Sequence, residues 1–195
     1  MLRSYTHPHG RAGDTIGTMA TRVRRPSLDV VRRYRNPDVV ERFLAEWDVS
    51  ERDARRLFDD MLQFLWLTTR ADYMVGPVPI VDAMWHTFLM FTESYERWSR
   101  ATFGTMLHHI PTTERDKRAQ KRMTRDQLAA AIRRDVETVH HHLGEKIALR
   151  WYVLYADLYS PQFFRTARRP AEVSRSWFPP ALMARARKLN RGLGG

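Results

Sequence analysis

The stretch IVDAMWHTFLMFTESYERWSRAT, residues 80–102, decides the fold class of this chain. Val81, Met84, Trp85, Phe88, Phe91, Tyr95 and Trp98 recur at three- and four-residue spacing, with polar residues between them. That is the period of an amphipathic helix, not the two-residue alternation of a strand. The spacing predicts one helix from about Ile80 to about Thr102, with Gly104 as its C-terminal stop. Pro77 and Pro79 bound it on the other side, because two prolines one residue apart cannot sit inside a helix.

Upstream, Asn36-Pro37-Asp38 reads as a helix start, with Asn as cap and Pro at the first helical position. Its apolar residues are Val39, Val40, Phe43, Leu44 and Trp47. Ser50-Glu51-Arg52-Asp53 opens a second helix, with a wide stripe of Leu57, Phe58, Met61, Leu62, Leu65 and Trp66. Downstream, Thr105 to Ile110 is short and reads as extended, ended by Pro111, and residues 112–123 read as a polar loop or linker. Thr124-Arg125-Asp126-Gln127 is a capping box for a helix closed by Gly144. A last long helix is expected from Glu145 to Leu158, ended by Pro161, with one further short helix over Ala181–Leu189. Strand signals are scarce. The expected architecture is mainly α, a single-domain helical bundle of about five helices with a short extended His-His segment. Its boundaries are 30–165, between a flexible basic arm at 1–29 and a basic tail at 166–195.

Composition narrows the function classes. The 195 residues suffice for one domain with a core. The absence of cysteine excludes disulfides, thiolate metal sites and a cysteine nucleophile. No apolar run reaches the ~18 residues of a membrane span, and the first 25 residues have no apolar signal-like core, so a cytoplasmic location is expected. The net charge of +11 sits at the ends: +6 over 1–36 and +7 over 165–195, leaving −2 between. Basic ends fit nucleic acid or an acidic protein partner, with Arg22, Arg24, Arg25, Arg185, Arg187 and Lys188 as candidate contacts. They also fit a plain solubility role in an Arg-rich chain. The sequence leaves the oligomeric state open. Glycine-x-serine-x-glycine, phosphate-loop and dinucleotide motifs are all absent.

The candidate chemistry is a metal site. At ~100° per residue, Asp82, His86 and Glu93 fall within ~40° of one another, nearly opposite the face of Met84, Phe88 and Tyr95. His108 and His109 follow on the extended segment. Side chains of a strand alternate, so only one of the two faces His86 directly, unless a turn at Pro111 brings both inward. The candidate ligands are Asp82, His86, His108 and His109, a set that suits zinc, iron or manganese, with Trp85, Glu93 and Tyr95 in support. A purely structural reading stands beside it: Asp82 as a cap or ion-pair partner, and His86 bonded to a carbonyl. His140-His141-His142 diverge by ~100° each on a helix and cannot chelate one ion together, so they read as mostly structural, with His140 or His142 as outside candidates for a further ligand.

Val81-Asp82-Ala83-Met84-Trp85-His86, Thr92, Tyr95, Phe103-Gly104 and Leu107-His108-His109-Ile110-Pro111, with Pro77 ahead of them, resemble the glycine-rich-domain-containing-protein-like family. Its members form the N-terminal region of larger plant proteins and shorter bacterial chains. The resemblance covers about residues 36–111. It departs at Phe88, where many members carry a second His, and at Trp98-Ser99, where many carry a Cys nearby. It implies that Asp82, Trp85, His86, Tyr95, His108 and His109 act as one unit, without specifying a chemistry. The leading expectation is therefore a small divalent-metal or ligand-binding protein, whose metal would activate water or oxygen if it is an enzyme. The rival is a non-enzymatic interaction module acting through its basic ends.

Overall fold

Asn36 starts the first long helix as its spacing suggests: the side chain accepts from Val39 N, and Pro37 occupies the first turn. The structure is a computed structural model that describes residues 23–73, 75–169, 179–182 and 184–185. After a short α1 (Leu28–Arg32), α2 spans Pro37–Glu46 and α3 Glu51–Thr68, the latter capped by Ser50 Oγ on Asp53 N. Helix α3 is the axis of the domain. From Asp60 to Leu67 every residue is buried, so helices must cover it on several sides. They are α4 (Pro79–Met90), α7 (Arg125–Leu143), and the α1–α2 pair. Among the described residues the fold is all-α, as expected, without a strand; one isolated bridge joins Trp47 to Arg168. No helix among them is long and apolar enough to cross a membrane.

The expected helix over 80–102 is two helices, α4 and α5 (Thr92–Phe103), separated at Phe91 with φ −89° and ψ 59°. Neither glycine nor proline marks the break; aromatic packing causes it. An unbroken helix of 23 residues would run ~35 Å and carry Tyr95 and Trp98 away from Phe88. With the break, Tyr34 stacks on Phe88 at 5.8 Å and meets Trp98 at 5.3 Å, while Phe88 lies edge-on to Tyr95 at 5.0 Å. Phe88, Tyr95 and Phe103 become fully buried, and Gly104 closes α5 in the left-handed region at φ 80°.

Residues 114–121, expected as loop, form α6 (Glu114–Lys121). It lacks an apolar stripe, and what holds it is local: a reciprocal Thr113–Asp116 capping box and a Lys117–Glu114 ion pair at 2.7 Å. The last long helix is also subdivided. After α8 (Glu145–Leu149), residues Arg150–Leu154 form a π turn leading into α9 (Tyr155–Leu158). Pro161, expected only to end it, is the first residue of α10 (Pro161–Thr166).

The π turn has an identifiable cause. Asp60 is completely buried on α3, and its carboxylate accepts from Arg150 Nε at 2.9 Å, from Arg150 Nη2, from Tyr155 Oη at 2.6 Å and from Gln63 Nε2 at 3.0 Å. Arg150 and Tyr155 are five residues apart. In an α-helix that spacing diverges by ~140°; the wider π turn brings both to one carboxylate. Beyond α9, Phe163 and Phe164 pack on Trp47 at 5.9 and 5.4 Å. Asp48 N donates to Ala167 O, and Arg169 N to Glu46 O. At the other end, Arg24 N donates to Phe103 O, and Trp66 Nε1 to Pro26 O.

Candidate metal centre

Asp82 lies in the first turn of α4 and His86 one turn later, so helical geometry alone puts them together. His86 Nδ1 is 2.8 Å from the carbonyl oxygen of Asp82 and 3.3 Å from its Oδ2. A carbonyl only accepts, so Nδ1 is the donor in this contact. That is the arrangement of a ligating histidine, whose second nitrogen donates to a carbonyl or carboxylate.

His109 comes from outside the helix. Its Nε2 lies 3.1 Å from Asp82 Oδ1, and its ring lies 4.4 Å from that of His86 and edge-on to Trp85 at 4.5 Å. Two residues of α5 hold the backbone that presents it. Ser99 Oγ accepts from Leu107 N at 2.8 Å and donates to Thr105 O at 3.0 Å. Tyr95 Oη donates to Leu107 O at 2.6 Å and accepts from Trp85 Nε1 at 3.1 Å. Burial pushes the Tyr95 hydroxyl up to about 12, despite its bond from Trp85, so it remains a donor. Tyr95 thus acts from the core side, joining the Trp85 indole to the His-His segment. Ser99 was invisible to pattern reading; its signal is that it lies one turn after Tyr95, on the same face.

One ligand atom each from Asp82, His86 and His109 lie within 4.8 Å of one another. Ligands ~2.1 Å from a common ion sit ~3.0 Å apart when cis and ~4.2 Å when trans. The Asp82–His109 pair at 3.1 Å already has the cis separation, and a pair as wide as 4.8 Å would close by more than ~1 Å to reach it. The side chains of His86, Asp82 and His109 are 55%, 32% and 16% exposed, so the group is rooted on the Trp85 side and open at His86.

The remaining candidates lie elsewhere. His108 is exposed and stands outside the group. Glu93, on the Asp82 side of an unbroken wheel, follows the Phe91 break; its side chain is 86% exposed and pairs with Arg97. His140 and His141 are exposed, while His142 meets Trp66 edge-on at 6.3 Å. Burial, then the charges of His141 and Arg70, hold the His142 imidazole below its ordinary range. Arg24, Arg25 and Arg185 are exposed, and Arg24 Nη2 bonds Arg100 O. Arg22, Arg187 and Lys188 lie outside the described residues.

Neither the curated proteins nor the solved structures hold a match to this chain. A family model does match, over residues 27–150, and its description is UCP032817-like. This corrects the resemblance drawn from the Trp-His and His-His motifs: the matching family is not that of the glycine-rich-domain-containing proteins. The two motifs span only about thirty residues, whereas the matched region runs from the start of α1 to the π turn and includes the helix α3 against which α4 packs. With well over half of its length matched, the chain belongs to the UCP032817-like family.

Proposed function

We propose that this protein binds one divalent transition-metal ion through Asp82, His86 and His109. The observation that carries the reading is the convergence of one ligand atom each from Asp82, His86 and His109 within 4.8 Å of one another. Two imidazoles and one carboxylate suit zinc, iron(II) or manganese(II). Three protein ligands leave positions for water or a small ligand, and the exposed His86 side is where such a ligand reaches the ion. Tyr95 and Ser99 act as positioning residues through the Leu107 backbone.

The test is calorimetric titration of untagged full-length protein with zinc, manganese(II) and, anaerobically, iron(II). One equivalent should bind. His86→Ala and His109→Ala should each weaken binding by at least tenfold, whereas His108→Ala and the triple change of His140, His141 and His142 to Ala should leave it unchanged. Binding that survives His86→Ala and His109→Ala, or no binding of any of the three ions, overturns the proposal.

A further inference from the structure

Helix α6 buries no residue, and its side chains are all exposed. A helix that contributes nothing to the core is held out in solvent by its own caps, and its charges have a definite layout. Residues 114–125 carry Arg115, Lys117, Arg118, Lys121, Arg122 and Arg125 against Glu114 and Asp116, a net of +4 within a middle region, 37–164, that is otherwise acidic. On the helical wheel the five cations of 115–122 occupy an arc of ~160°. Asp116, Ala119 and Gln120 lie on the opposite side. Within the arc stands Glu114, paired to Lys117. The cationic face is therefore one-sided and ~10 Å long, and Arg125 extends it onto the first turn of α7.

We infer that this face of α6 docks on the phosphate backbone of a nucleic-acid duplex. The chemistry of the face selects among anionic partners. It holds no apolar residue, and an interfacial membrane helix needs an apolar face to bury. Protein–protein interfaces place aromatic and apolar anchors at their centre; this face has none. It also lacks the aromatic platforms on which single strands stack. A regular array of phosphates asks only for closely spaced cations, and ~10 Å of duplex axis presents about six phosphates. Recognition is of charge and spacing, without reading of bases. This surface is helical and lies within the 37–164 region, distinct from the basic chain ends, and its action is independent of the metal centre.

Fluorescence anisotropy with a labelled 20-base-pair duplex, from 50 to 200 mM salt, tests it on the full-length protein. The combined variant Arg115→Gln, Arg118→Gln, Lys121→Gln and Arg122→Gln removes four cations. The slope of log affinity against log salt should become shallower by about 3.6, so that the fourfold rise in salt costs the variant about a hundredfold less affinity than it costs the wild type. Binding at 50 mM should fall at least tenfold, with circular dichroism and Tm unchanged, because nothing buried is altered. A second variant neutralises four tail cations, Arg175, Arg185, Arg187 and Lys188, by glutamine. An unchanged affinity and slope in the α6 variant, with loss confined to the tail variant, overturns the inference. So does tighter binding to phosphatidylserine vesicles than to the duplex.

Discussion

Replacing Asp60 by Asn should be among the most damaging single changes this protein can suffer. The Asp60 carboxylate is fully buried and accepts four hydrogen bonds, two from Arg150, one from Tyr155 and one from Gln63. The Arg150 side chain is only 17% exposed, so water cannot replace the lost charge. Breaking a buried ion pair by removing one partner costs about 3–5 kcal/mol, because the remaining charge is left uncompensated. For a chain of this length each kcal/mol lowers Tm by ~2–4 °C, so Asp60→Asn should lower Tm by about 6–20 °C. Arg150→Met alone should also be costly, since it leaves Asp60 charged in the core. The double change Asp60→Leu with Arg150→Met removes both charges and should recover most of the loss. Urea unfolding of wild type, Asp60→Leu, Arg150→Met and the double yields the coupling energy directly. A coupling below ~0.5 kcal/mol, or a Tm within ~3 °C of wild type for Asp60→Asn, would refute the assignment of this network as the tie between α3 and the π turn.

Three further outcomes follow from particular contacts. Tyr95→Phe removes the acceptor of Trp85 Nε1 and the donor to Leu107 O; leaving these buried groups unpaired should cost about 1–3 kcal/mol in urea unfolding and weaken metal binding through His109, and unchanged metal affinity would sever Tyr95 from the site. Gly144 has φ 87° and ψ 165° with open space around its Cβ position, so Gly144→Ala should cost about 1–3 kcal/mol from backbone strain alone; a neutral result by thermal melting would exclude that strain. Burial holds Tyr95 and Tyr159 at about 12 and pushes Tyr152 and Tyr155 up as well. Groups raised in the folded state contribute stability that is complete below pH ~10 and is lost as pH rises through ~12. Absorbance at 295 nm should show these tyrosines ionising together with unfolding, and their free titration near pH 10 in the folded protein would count against their burial.

The parts of the fold that were legible are those with a cap followed by an apolar stripe. Asn36, Ser50 and Thr124 each cap the helix their spacing announces. Asp82 and His86 were legible for the same reason, being neighbours by helical geometry alone; for His108 and His109 spacing left two arrangements open, alternation that turns one away and a turn at Pro111 that brings both inward. What stayed hidden depends on contacts distant in sequence. The break at Phe91 exists because Tyr34, over fifty residues earlier, draws Phe88 and Trp98 together. The π turn exists because Asp60 waits 90 residues before Arg150. Helix α6 escaped because apolar periodicity is the usual guide and α6 has none. Ser99 escaped because a serine in a helix carries no mark until the segment that it bonds has returned beside it.

The π turn also fixes how this chain can change length. A deletion of one residue between Arg150 and Tyr155 would restore ordinary helical winding and leave the two residues four apart, ~40° from each other, so both would still face Asp60. An insertion of one residue would turn everything after it by a further ~100°. Tyr155 would then swing off Asp60, and the Phe163–Phe164 pair off Trp47. The segment behaves as a counted joint that can lose one residue and cannot gain one, whereas the solvent-bounded stretch around α6 can gain or lose residues without moving the core. Length variants of this chain should therefore cluster at 112–123, and at 150–155 be confined to the loss of a single residue.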